Sequence, residues 1–146
     1  MPKFKSLNDA LKYIEEAKAD SMKVLGECVE DIMMEEIDEQ VYNAYSPKHY
    51  ERTDQLFNSV GITNITDDRV EVSWQDNGDW YSIIKRNRNE QPDHMYVIHG
   101  HEMGKVWGRM NKPTTLVETS TERARKETPD ELIKFLRSKG IKATRK

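Results

Sequence analysis

The sequence has 146 residues, of which 36% are hydrophobic and 34% charged, with a formal net charge of −3 and a single cysteine. A chain of this size builds one domain around one modest core. The slight acidic excess argues against a general nucleic-acid binder, and one cysteine leaves no intrachain disulfide, which suits a reducing compartment. No apolar run approaches the roughly 20 residues of a membrane helix, and Met1–Lys5 lead into a polar helical pattern rather than a signal-type stretch, so a soluble, intracellular chain is expected.

Ser6, with Asp9 three residues on, reads as a helix N-cap. Leu7, Leu11, Ile14, Leu25, Cys28, Val29, Ile32, Met33, Ile37, Val41 and Ala44 then recur at spacings of three and four, and no proline falls between residues 3 and 46. A helix from 7 to 43 is expected, about 55 Å long if continuous at ~1.5 Å per residue. Gly26 and the polar stretch Lys18–Ser21 are the expected points of a break. Pro47 ends the helix, and a short helix or strand from Thr53 to Val60 is closed by Gly61.

Val70, Val72 and Trp74 alternate with polar residues, then Asp76-Asn77-Gly78-Asp79 precedes Trp80, Tyr81, Ser82, Ile83 and Ile84. Asn-Gly takes the positive φ angles of a tight turn, so residues 69–85 are expected to form a β-hairpin. Ile62–Ile65 can add a further strand. Residues 86–94 contain no apolar side chain and read as a mobile loop. Thr128-Pro129-Asp130-Glu131 carries a cap, a first-turn proline and an acid three residues after the cap. It predicts an amphipathic helix over 128–139, stopped by Gly140 and followed by a basic tail, 140–146. The fold class expected is α+β, a single domain over 1–146 with a long N-terminal helix, a small antiparallel sheet and a C-terminal helix.

No catalytic or cofactor-binding constellation emerges. There is no nucleophile elbow, P-loop or dinucleotide fingerprint. His99-Gly100-His101-Glu102, with His94 nearby, brings metal-type side chains together but lacks the second histidine of a zinc-protease helix. The bland alternative is a polar loop, and no metal or other cofactor is assigned. Cys28 falls at a helical core position among acids, where a thiol acts as a small hydrophobe. Trp74, Trp80 and Trp107 read as core or interface residues, since a stacking platform needs a basic groove and Lys85-Arg86-Asn87-Arg88 alone is thin.

Charge is more informative. Residues 27–39 carry Glu27, Glu30, Asp31, Glu35, Glu36, Asp38 and Glu39 with no base, whereas residues 121–146 carry nine bases against four acids. Such blocks are either solvated faces or complementary faces that meet between copies, and head-to-tail contacts of that kind close rings. Glu35, Asp38, Glu39, Arg86, Arg88, Arg137 and Lys139 are the candidate inter-subunit residues.

The segment Val41–Val60 (VYNAYSPKHYERTDQLFNSV) places Arg52, Thr53, Leu56, Ser59 and Val60 directly after the long helix. In this it resembles the neck, tail-completion or head–tail joining proteins of tailed bacteriophages, where an Arg/Thr-Gly-x-Leu-x-x-Ser-Ile/Val pattern follows the first helix. Asp54 stands where glycine is usual. His99-Gly100 lacks the family's preceding glutamate, and Lys112-Pro113 is followed by Thr114 rather than phenylalanine. The resemblance runs over about residues 30 to 142. It implies a non-enzymatic α+β virion subunit, resident in the host cytoplasm before assembly, acting as one copy of a homo-oligomeric ring at the neck. The implied partners are other copies of itself and adjoining connector, head-completion and tail-tube proteins. A membrane and sequence-specific nucleic acid are not among them, and contact with packaged DNA is incidental. Two rivals come from other classes: a small metal-dependent hydrolase or nuclease using His99, His101 and Glu102, and a cytosolic protein-binding adaptor.

Overall fold

In the computed structural model, residues 2–43, 55–75, 105–106, 109–110 and 114–145 are described. Helix α1 spans Leu7–Ile37 and runs on as a π-helical turn, Asp38–Tyr42. A short helix α2 (Gln55–Asn58) leads into strands β1 (Val60–Ile65) and β2 (Val70–Trp74). The two-residue strands β3 (Lys105–Val106) and β4 (Arg109–Met110) pair antiparallel with each other. Helix α3 covers Leu116–Ser138. The α+β class expected from the sequence is the one observed.

Helix α1 starts where its cap predicts: Ser6 is extended and its Oγ accepts from the Asp9 N–H at 3.1 Å. It does not break at Gly26, contrary to expectation. Gly26 is buried, and a Cβ there would sit 2.8 Å from both Ile62 Cδ1 and Val70 Cγ2. The residue is glycine because β1 and β2 approach the helix backbone closely, a packing role that periodicity alone does not reveal. At the far end Asn43 N–H reaches Asp38 O at 2.8 Å, five residues back. This wider turn brings Tyr42 against α2: its ring stacks on Phe57 at 6.4 Å and its hydroxyl accepts from the Phe57 N–H.

Strands β1 and β2 form an antiparallel hairpin with Val60 opposite Trp74 and Ile65 opposite Val70. The register slips between Ile62 and Asn64, which leaves Thr63 as the extra residue of a bulge. Thr66 and Arg69 close the turn, with Thr66 N–H to Arg69 O at 2.7 Å. The expected accessory strand Ile62–Ile65 is thus the direct partner of β2, and Gly61, expected to close the preceding segment, lies inside β1 opposite Ser73. Residues 76–85, the second half of the hairpin expected at 69–85, lie outside the described residues, as does the loop 86–94. Ser59 joins the strand ends to α2: its Oγ donates to Leu56 O and its carbonyl accepts from the Gln75 N–H.

Helix α3 begins twelve residues before the expected start at Thr128. Thr128 caps nothing; its hydroxyl donates to Ala124 O at 2.6 Å, one turn back in the same helix. Pro129 therefore sits inside the helix and removes one backbone hydrogen bond. The C-terminus follows the sequence. Gly140 takes φ 74°, Gly140 N–H reaches Arg137 O and Ile141 N–H reaches Leu136 O, both at 2.9 Å. This is the paired 5→2 and 6→1 closure that favours glycine.

The core gathers Met33, Ile37, Leu56, Val60, Trp74 and Leu116, with Ile37 and Leu116 fully enclosed. It lies where the C-terminal half of α1 meets the hairpin, α2 and the start of α3. Trp74 is a core residue, as expected. Among the described residues no helix is long and apolar enough to cross a membrane.

The Gly26 packing makes a prediction. Gly26→Ala should destabilise the protein by roughly 1–2 kcal/mol through overpacking, although alanine is the better helix former by about 1 kcal/mol. Thermal or urea unfolding reads it, and a stabilised variant would show that the hairpin does not press on α1.

Candidate functional site

Helices α1 and α3 run antiparallel, and polar residues hold the seam at both ends. At one end Gln40 Oε1 accepts from the Thr115 N–H at 2.8 Å, while its Nε2 donates to Glu36 (2.6 Å) and Thr119 (2.7 Å). One turn further, Arg123 reaches Glu36 at 3.0 Å, Glu35 at 2.7 Å and Glu127 at 3.1 Å. At the other end Lys139 Nζ lies 2.9 Å from Asp20, and the Tyr13 hydroxyl donates to Lys139 O at 2.6 Å.

Glu36 is buried. Burial alone would raise its pKa, but hydrogen bonds from Gln40, Arg123 and Thr119 outweigh that and hold the carboxyl below the usual glutamate range. The Arg123 guanidinium is pushed further up, first by Glu127 and then by Glu35 and Glu36. A cation that bridges three carboxylates, one of them buried, fixes how α3 lies along α1.

Outside this seam lies a concavity of about 280 Å³ lined by Asp31, Met34, Glu35, Asp38 and Phe57. Three of these residues are acidic and two, Met34 and Phe57, are apolar, a chemistry suited to the head and stem of a basic side chain. Among the described residues Asp31, Asp38 and Glu39 enter no ion pair; Asp38 accepts only from Asn43, at 3.3 Å.

The residues proposed from sequence divide into two groups. Glu35, Asp38 and Glu39 are exposed at the C-terminal end of α1, and Glu35 is already held by Arg123. Arg137 and Lys139 lie at the opposite end of the seam: Arg137 Nε donates to Ala143 O, and Lys139 pairs with Asp20. Asp20 and Asp38 are separated by about 27 Å along the helix at ~1.5 Å per residue, so the two groups do not meet within one chain. Arg86 and Arg88 lie outside the described residues, as do His49, His94, His99, His101 and Glu102. Among the described residues no group of three or more histidine, cysteine or acidic side chains is placed to hold a metal ion. Cys28 is half-buried between the helices; desolvation, then Glu131, Glu127 and Asp31, push its thiol up, which disfavours the reactive thiolate.

Arg123 is the residue that sequence reasoning missed. Its signals were present: Thr115-x-x-Glu118 has capping-box spacing and Arg123-Glu127 is an i,i+4 pair. The apolar periodicity over 116–127 is too sparse to mark a helix.

A family model described as YomN matches residues 4–141. The chain belongs to the YomN family. That family is phage-derived, of the Bacillus SPbeta-prophage type, so the chain is a phage-type protein. No curated protein and no solved structure matches it.

The seam predicts a pH-dependent loss. Arg123→Ala should cost roughly 3 kcal/mol, as expected when one partner of a buried pair is removed, against about 0.5 kcal/mol or less for the exposed Lys12→Ala. Because the folded pKa of Glu36 is depressed, its contribution is complete above the ordinary glutamate pKa and lost as pH falls through the folded value. The free energy of unfolding should therefore fall more steeply from neutral into acid in the wild type than in Glu36→Gln. Equal slopes would contradict this assignment.

Proposed function

We propose that this chain is a non-enzymatic structural subunit of a phage neck, joining or completing the tail at the head–tail interface as one copy in a homo-oligomeric ring. The observation that carries the reading is a cluster of unpaired acids at one end of the helix pair, while the other end presents exposed bases among mixed charge. Asp31, Asp38 and Glu39 stand at one end, and Met34 and Phe57 line the same concavity as Asp31 and Asp38. Arg137 and Lys142 stand exposed at the other. A subunit with unlike ends makes heterologous contacts, which close into a ring when the rotation allows. Exposed ion pairs are each worth only about 0–1 kcal/mol, so their role here is orientation and register rather than affinity.

The phage-derived family and the resemblance over Val41–Val60 support the same reading. On it, the partners are other copies, the connector or head-completion ring and the tail tube. The chain resides in the host cytoplasm until assembly and in the virion afterwards.

A phage lacking this gene should accumulate DNA-filled heads and separate tails, scored by electron microscopy. Complementation with Asp38→Lys/Glu39→Lys should fail at low salt, while Glu35 is left in place because it holds Arg123. Complete particles from the deletion would overturn the neck reading. A deletion phenotype rescued by the double variant would retain the neck role and remove the charge-pairing argument.

A further inference from the structure

We draw no further inference here: the strongest candidate, the concavity lined by Asp31, Met34, Glu35, Asp38 and Phe57 at the C-terminal end of α1, belongs to the site already described, and nothing in the structure shows what fills it.

Discussion

The buried carboxylate of Glu36 constrains the rest of the molecule. It sits on the last turn of α1, where Gln40, Thr119 and Arg123 surround it and hold its carboxyl below the usual glutamate range against the effect of burial. Two of those three come from α3, about eighty residues further along the chain. An uncompensated buried charge costs several kcal/mol, so α1 reaches its final environment only when α3 is beside it. The apolar core then closes under the same junction, with Ile37 from α1 and Leu116 from α3 both fully enclosed. The polar seam fixes the direction and register of α3, and the core supplies the burial.

Much of this was legible in the sequence, for reasons that can be named. Ser6 and Gly140 mark helix ends because each satisfies a local backbone requirement that neighbouring residues alone decide. The α1 stripe and the alternation of β2 are equally local. What was not legible depended on partners distant in sequence. Gly26 looks like a helix breaker until Ile62 and Val70 are known to lie over it. The start of α3 is hidden because residues 116–127 are polar almost all round; that half of the helix is held to α1 by Arg123 and the Gln40 contacts, with Leu116 as its one fully enclosed apolar side chain. Thr128-Pro129 has the composition of a helix start, yet helix contacts on either side of it override local preference. Of the candidate contact residues, Asp38 and Glu39 stand unpaired as read, whereas Glu35 is drawn into the chain's own seam by the unforeseen Arg123.

The same helix is thereby used in two ways. Its C-terminal half is buried against the hairpin and α3, and its charged back presents Asp31 and Asp38 beside Phe57. Its first three turns repeat the core-facing pattern with nothing from the described residues upon them.

Native-state hydrogen exchange tests the dependence of α1 on α3 most directly. Amides of residues 21–37 and of 116–128 should share one opening free energy, the global one, while residues 8–16 exchange faster. Protection of 21–37 that persists while 116–128 exchanges freely would show that α1 and the hairpin stand without the seam, and would contradict the account.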